Sequence, residues 1–354
     1  MLAFQKEIET VTQPYQYVQA EYKPLLPPGK LQQIALAHLP GKTAHSVSYG
    51  SNEKAAQVAF YSSSYYYIVY INPYSGSVLK VKNMNRDFFR IVIMGHYYLW
   101  LPPVIGQPVV ASATLIFLIM LISGMILCWP KNKAARRQRF SVKWNAKWKR
   151  VNYDQHNVLG FYMTWIAIFI AVTGLVWGFQ WFADTVYWTA SGGQQLLLYK
   201  ESYSDKMNMH DISAIPAVDI VWQKIKNENP SAQIIEIHYP ANDSAAIEAV
   251  ANPDAGTYWK SDIRYFDQYT LKEINVDHVY GLFSNASAAD KIMRMNYDIH
   301  TGAVLGLPGK IMAFFASLIA ASLPVSGFLI WRGRKKKNKI YNAHTANKLI
   351  ADAV

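Results

Sequence analysis

The sequence contains one cysteine, Cys128, among its 354 residues. A single thiol excludes an internal disulfide, a thiolate metal site and an iron–sulfur cluster held by one chain. The sequence also lacks a GxGxxG, Walker, HExxH or GxSxG segment in a suitable context. It therefore shows no recognisable nucleotide-binding, protease or hydrolase site.

Charged residues are scarce, at 16% of the chain, and hydrophobic residues make up 51%. The apolar excess is concentrated in three runs without any charged residue, Val109–Trp129, Val158–Ala183 and Ile311–Trp331. A helix of about 20 residues is as long as the ~30 Å hydrocarbon layer is thick. Trp or Tyr residues lie near the ends of each run, as at a membrane–water interface. The sequence predicts an integral membrane protein with three spans.

The net charge of +12 is unevenly distributed along the chain. Nine Lys or Arg and no acid lie in Lys131–Arg150, and a second basic cluster follows the third span from Arg332 to Lys339. In contrast, Asp184–Asp298 holds 16 acidic and nine basic residues. Because basic flanks stay cytoplasmic, the two basic segments predict topology and contact with anionic lipid. A nucleic-acid partner is not expected.

This topology predicts alternating outer and membrane segments, with a cytoplasmic C-terminus. The expected segments are an outer module at 1–107, a span at 108–130, a basic cytoplasmic loop at 131–153, a span at 154–183, a second outer module at 184–308, a span at 309–332 and a cytoplasmic tail at 333–354. The sequence begins with apolar Met1–Phe4 followed directly by polar residues, and it has no signal peptide. An outer first module needs an export signal, so a helix upstream of residue 1 is expected.

The two outer segments repeat each other in sequence. Asn52–Ala56 corresponds to Asn242–Ala246, and Tyr70–Ser75 corresponds to Tyr265–Thr270. In each copy an arginine then precedes a histidine by six residues, and a Leu-Pro pair leads into an apolar run. Four matches in the same order indicate a duplicated module.

Each copy has the pattern of one helix followed by three strands. The predicted helices are Gly29–His38 and Ile212–Asn227, and the predicted strands are Ala44–Tyr49, Ala55–Tyr61, Tyr65–Ile71, Gln233–His238, Ala245–Ala251 and Thr257–Phe266. A helix packed on an antiparallel sheet is an α+β module. The expected fold class is an α+β membrane protein, with a helix bundle and two duplicated modules.

The segments NPYSG (72–76), DQYTL (267–271), DQHNVLGFY (154–162) and IHTGAVLGLPGK (299–310) resemble the PepSY-associated transmembrane helix family over essentially the whole chain. The resemblance implies two periplasmic PepSY-like modules and a location in the bacterial inner (cytoplasmic) membrane. It also implies four spans, the first with a Leu-His pair near its inner end, and Leu2–Glu9 resembles the end of that helix. One departure is Leu271, where the family commonly has glycine, as at Gly76.

Three of the nine histidines lie beside predicted spans. His156 lies at the inner end of the second span. His96 and His300 occupy equivalent places in the two repeats, on the outer side. Axial histidines on facing helices hold haem in membrane bundles. We expect two haem groups of b type, since no CxxCH segment for covalent attachment occurs. His96 with His300 would bind the outer iron, and His156 would pair with a histidine of the missing helix. The alternative is that the three histidines bond carbonyls or lipid phosphates.

Arg90 and Arg294 are candidates for binding haem propionates or an anionic chelate, and a salt bridge to an acid of the module is the alternative. One branch of the resembled family reduces ferric siderophores. The resemblance therefore implies an oxidoreductase that takes electrons from a quinol or another membrane donor and reduces a ferric siderophore or other iron chelate in the periplasm. The competing prediction is a non-enzymatic membrane regulator or binding protein without a cofactor, and transport is a weaker third.

Overall fold

The computed structural model describes residues 1–130, 132–133, 136, 140–208 and 215–351, the last 18 of these by backbone alone. In chain order the helices are α1 (Gln5–Thr12), α2 (Pro28–His38), α3 (Phe88–Tyr98), α4 (Pro103–Cys128), α5 (Trp148–Gly178), α6 (Gln180–Ser191), α7 (Ala217–Glu228), α8 (Ala288–Arg294), α9 (Asn296–Thr301) and α10 (Gly306–Ala351). The strands are β1 (Ser46–Tyr49), β2 (Ala56–Tyr61), β3 (Tyr66–Ile71), β4 (Val78–Asn83), β5 (Ile234–His238), β6 (Ile247–Asn252), β7 (Asp262–Phe266) and β8 (Glu273–Ile274). The chain forms two compact units, Met1–Val110 with Val176–Ile299, and Ala111–Leu175 with His300–Val354.

Among the described residues of the first unit, eight strands form one antiparallel sheet in the order β4-β3-β2-β1-β5-β6-β7-β8. The two repeats meet where β1 pairs with β5, with Ser46 opposite His238 and Tyr49 opposite Ile235. The sequence predicts two duplicated α+β modules, and in the structure these strands pair them into one sheet. Pairing satisfies the backbone groups that each module would otherwise leave exposed at its edge.

Helices α2 and α7 cover one face of this sheet and share a core with it. Alternate strand residues point into that core, as the period of two in a strand requires, and Val58, Phe60, Ile237 and Ile247 are fully buried there. The predicted helix Gly29–His38 is confirmed as α2. The second predicted helix is observed from Ala217, after Pro216 at its N-terminal cap, and residues 212–214 of that prediction lie outside the described part of the chain.

Polar contacts at the start of α2 also connect the two repeats. The hydroxyl of Tyr239 donates to the carbonyl of Pro28 at 2.9 Å, and the amide of Gly29 donates to the Asp219 carboxylate at 2.6 Å. Burial raises the pKa of Asp219 above its ordinary value, although the Gly29 amide opposes that rise. The repeats therefore share a core, a sheet and a hydrogen-bond network.

The repeated Tyr motifs form matching turns. Oδ1 of Asn72 accepts from the amides of Tyr74 and Ser75, and Oδ1 of Asp267 accepts from the amides of the corresponding Tyr269 and Thr270. The next residue has a left-handed conformation in both copies, with φ of 77° at Gly76 and 58° at Leu271. Leu271 thus occupies a backbone position that favours glycine, at a cost of about 1–2 kcal/mol. Its side chain packs against the core of the sheet.

Gly76→Ala should destabilise the chain more than Gly41→Ala, although both glycines have a positive φ, 77° and 75°. An added Cβ at Gly76 would lie 2.9 Å from Cδ1 of Ile34, whereas one at Gly41 would have no heavy atom within 4 Å. We expect a loss of about 1–2 kcal/mol for the Gly41 change and roughly 1–3 kcal/mol more for Gly76. Thermal unfolding of the detergent-solubilised chain, followed by circular dichroism, measures the difference. Equal losses would contradict the packing argument.

The predicted strands are each observed within a few residues, and two strands were not predicted. The largest error in bounds is the predicted strand Thr257–Phe266, which begins at Asp262. The preceding residues turn because the amides of Tyr258 and Trp259 donate to the buried carboxylate of Asp298. Sequence alone did not predict β4 or β8, which extend the two ends of the sheet.

In the described part of the chain, three helices are long and apolar enough to cross a membrane, and most of their residues lie in the second unit. The qualifying segments are Pro103–Leu127, Trp148–Gly178 and Ala303–Gly333. Leu121, Met163, Ala167 and Ala316 form a small core between α4, α5 and α10. Other apolar side chains of these helices are exposed, including Phe169 at 62% and Phe328 at 55%, as expected where lipid is the solvent. The predicted spans are therefore confirmed as apolar helices.

Candidate functional site

His300 lies on α9 and is held through Nδ1. This nitrogen lies 3.0 Å from the hydroxyl of Thr173 and 3.1 Å from the carbonyl oxygen of Ile170, both on α5. A carbonyl oxygen can only accept a hydrogen bond, so the contact with Ile170 favours the tautomer in which Nδ1 of His300 carries the ring proton. In the neutral imidazole the other nitrogen, Nε2, then has the lone pair that a metal binds.

His156 lies on α5 and contacts α10 in a similar way. Its Nδ1 is 2.8 Å from the hydroxyl of Ser326. The same hydroxyl lies 3.1 Å from the carbonyl oxygens of Ser322 and Leu323 on its own helix. Asn152, one turn earlier on α5, donates from Nδ2 to the Ser326 carbonyl at 3.2 Å. Two polar contacts therefore connect α5 to α10 at this point.

A glycine faces the Cε1 edge of each of these two rings. A Cβ added at Gly174 would lie 3.4 Å from Cε1 of His300, and a Cβ added at Gly327 would lie 3.4 Å from Cε1 of His156. The Thr173-Gly174 and Ser326-Gly327 steps of the sequence thus accommodate imidazole rings between the helices. An added Cβ at Gly124, in the similar Ser123-Gly124 step of α4, would meet no heavy atom within 4 Å.

The two histidine positions are well separated. His156 and Thr173, the residue that holds His300, are about 25 Å apart along α5 because a helix rises 1.5 Å per residue. A single metal ion or haem iron binds its axial ligands at about 2 Å, so it cannot bind both rings. His156 and His300 therefore define two distinct sites near the two ends of one apolar helix.

His96 lies on α3, which belongs to the sheet-containing unit, whereas His300 belongs to the other. Its side chain is exposed, and its ring centre is 5.8 Å from that of Tyr97. The surrounding protein atoms nevertheless desolvate the imidazole and lower the pKa of His96, which favours the neutral form that binds metals. The pairing of His96 with His300 on one iron stays a prediction.

The two arginines of the repeats have different surroundings. The guanidinium of Arg90 lies 5.4 Å from the ring centre of Tyr66 and is partly exposed. Arg294 is 7% exposed and donates to the carbonyl oxygens of Gly281, at 3.2 Å, and of Ser261. Burial lowers the pKa of Arg294 from its ordinary value. Arg294 would have to exchange these carbonyls for a propionate or chelate, whereas Arg90 is accessible to one.

Sequence reasoning missed Asp298, two residues before His300. Its carboxylate is fully buried, and Oδ2 accepts from the amides of Tyr258 and Trp259, each at 3.0 Å. Burial raises the pKa of Asp298 even though these amides favour its charged form. The only signal for Asp298 in the sequence was that an acidic residue lies close to the candidate ligand His300. The carboxylate fixes α9, the helix that also carries His300.

The face of the sheet opposite α2 and α7 carries a second group of titratable residues. The rings of His45 and His238 are 5.0 Å apart, and Nε2 of His238 lies 3.4 Å from Glu236 and 3.8 Å from Glu248. Burial and the nearby His238 lower the pKa of His45, and burial raises the pKa of Glu248. The side chains of Glu236, His238 and Glu248 are partly exposed, and that of His45 is exposed.

Within the described residues, no group of three or more His, Cys, Asp or Glu side chains could hold a metal ion. Haem makes a smaller demand on the protein, because its ring supplies the equatorial ligands and the protein supplies axial ones.

The sheet, the apolar helices and the histidines beside them define an α+β integral membrane protein. The sequence model of the family described as PepSY-associated TM region matches residues 1–334, and the chain belongs to that family. No curated protein matches the chain.

Proposed function

We propose that this protein is a di-haem b-type electron-transfer protein of the bacterial inner membrane that reduces ferric siderophores or related ferric chelates in the periplasm. The observation that supports it best is the way in which His156 and His300 are held. Each ring is anchored at Nδ1, near opposite ends of one apolar helix. Two such sites are what a chain that moves electrons through a bilayer requires.

The residues fit haem as axial ligands. A histidine that binds a metal almost always bonds its second ring nitrogen to a carbonyl, carboxylate or water, which orients the ring. The Nδ1 contacts of His300 with Ile170 and Thr173 have this form. In the proposal, Nε2 of His300 and of His156 would each hold one haem iron, and His96 would hold the same iron as His300. Bound haem would supply reversible one-electron chemistry within the hydrocarbon layer, where an unaccompanied charge is costly.

The proposed reaction is balanced by a quinol as the electron donor. Oxidation of one quinol to a quinone releases two electrons and two protons. Each electron converts one ferric chelate to a ferrous chelate, so two ferric chelates are reduced per quinol. The chain holds the axial ligands and provides the outer surface to which a chelate docks. Arg90, which is partly exposed and cationic, is the proposed contact for an anionic chelate or propionate.

The absorbance of the purified chain tests the proposal. Protein from haem-replete cells should be red, with a Soret band that shifts on dithionite reduction and close to two haem groups per chain. Anaerobic addition of a ferric trihydroxamate to the reduced protein should restore the oxidised spectrum and yield ferrous iron, trapped by a ferrous-specific chelator. A colourless protein would overturn the proposal in favour of a membrane regulator without a cofactor. A red protein that ferric chelates do not oxidise would contradict the reductase activity.

A further inference from the structure

The hydroxyl of Thr173 has a defined role toward His300. It donates to the carbonyl of Phe169 at 2.7 Å and also lies 3.0 Å from that of Ile170 on its own helix. A threonine hydroxyl has one hydrogen and two lone pairs. With its hydrogen directed to the helix backbone, the Thr173 oxygen can accept from Nδ1 of His300. The ring proton is then shared between Thr173 and Ile170.

Ser326 repeats this arrangement on a different helix. Its hydroxyl can donate to the carbonyl of Ser322 or Leu323, and Nδ1 of His156 lies 2.8 Å from the same oxygen. In both places the hydroxyl-bearing residue is followed by the glycine that faces Cε1 of the ring. The recurrence of hydroxyl and glycine at both histidines indicates a common way of holding the ring.

We propose that Thr173 and Ser326 are positioning residues, whose hydroxyl oxygens accept the Nδ1–H of His300 and His156 and so fix the tautomer in which Nε2 can bind a haem iron. The assignment of haem rests on the proposed function, whereas the assignment of the tautomer rests on the contacts alone. An acceptor at Nδ1 makes the imidazole a more basic ligand, which favours ferric over ferrous iron.

The two sites should respond differently when the hydroxyl is removed. In Thr173→Val, the carbonyl of Ile170 remains 3.1 Å from Nδ1 of His300, so most of the orientation should survive. In Ser326→Ala, Nδ1 of His156 loses the hydroxyl that lies 2.8 Å away. The effect should therefore be larger at His156.

The chain provides matched controls on the same helices. Thr164 of α5 is buried like Thr173, at 5% against 6% exposure, and its hydroxyl donates to the carbonyl of Gly160 at 2.7 Å. Ser317 of α10 donates in the same manner to Ala313 at 2.8 Å. Thr164→Val and Ser317→Ala thus remove a similar hydroxyl that does not bond a histidine ring. Thr173→Ser and Ser326→Thr restore the hydroxyl at each tested site.

Nitrogen NMR of the full chain in nanodiscs, labelled at the histidine ring nitrogens and free of haem, tests the tautomers directly. Signals are assigned by their loss in His156→Gln and His300→Gln. We expect protonated Nδ1 and unprotonated Nε2 at both residues, and a shift of His156 toward the other tautomer in Ser326→Ala. Protonated Nε2 at His156 or His300 in the native chain would overturn the inference, as would an unchanged spectrum in Ser326→Ala.

Haem titration and redox titration provide the second measurement. Ser326→Ala should weaken haem binding at His156 about 10- to 100-fold. It should also change the reduction equilibrium of that haem about tenfold in favour of the ferrous form, which is ~59 mV for one electron. Ser317→Ala should change neither quantity. Haem binding by the native chain together with unchanged values in Ser326→Ala would overturn the positioning role. Absence of haem from the native chain would instead overturn the proposed function and leave the tautomer result to be judged by NMR.

Discussion

His300→Ala should leave the purified chain with about half of its haem. The proposed outer iron would lose a ligand, whereas the site at His156 lies about 25 Å away along α5 and should keep its haem. His96→Ala should cause the same selective loss if His96 and His300 bind one iron. His156→Ala should remove the other haem. Haem per chain, measured from absorbance against protein concentration, together with the reduced-minus-oxidised spectrum, distinguishes the two groups.

The control for these variants is His38→Ala. His38 is exposed at the end of α2, where its Nδ1 lies 3.1 Å from the carbonyl of Ile34 on the same helix. Its replacement should leave two haem groups per chain. Loss of both haem groups in His300→Ala, or of neither, would contradict the assignment of separate sites. Loss in His300→Ala but not in His96→Ala would contradict only the pairing of these two residues.

Asp298→Ala should destabilise the second repeat by roughly 2–6 kcal/mol, because two amides that lie against a buried carboxylate would lose their acceptor at about 1–3 kcal/mol each. Asp298→Asn is the matched control, since its side-chain oxygen can occupy the place of Oδ2 and accept from both amides. Its loss should be much smaller. Hydrogen exchange of residues 258–266, together with the unfolding temperature in detergent, measures both variants.

The pH dependence of these variants provides a check on the charge of Asp298. Burial raises its pKa above the ordinary value of 3.8, so the folded chain binds this proton more tightly than the unfolded chain. The native chain should therefore lose stability relative to Asp298→Asn as the pH rises from 3.8 through the higher pKa of the folded state. An opposite slope, or equal losses in the Ala and Asn variants, would contradict the role given to the carboxylate.

The sequence predicted the elements of this fold better than their assembly. The repeat located the strands and the two turns at Asn72 and Asp267, because local side-chain-to-backbone bonds determine such turns. Continuity of the sheet depends on pairing between residues about 190 positions apart, such as Val47 and Ile237. No local sequence pattern specifies that β1 pairs with β5. Either strand could equally form the edge of a separate module.

The candidate site was likewise predicted only in part: the histidines could be identified from the sequence, and their contacts could not. Position beside an apolar run identified His156 and His300, because a polar ring there needs a partner. Their partners, Ser326 and Thr173, could not be predicted, as they depend on which helix faces lie together. In the structure, the hydroxyl of the Thr173-Gly174 step and that of the Ser326-Gly327 step each contact a histidine.

The pairing of β1 with β5 has a consequence for the origin of the duplicated chain. Both strands are antiparallel and come from equivalent places in the two repeats, so the contact has approximate twofold symmetry. A chain with one copy would present this strand at an open edge, and two such chains would pair through it as an isologous homodimer. Gene fusion would then turn an encounter that depends on concentration into an intramolecular one. It would also free the two halves to diverge, as Gly76 and Leu271 have done at the same turn.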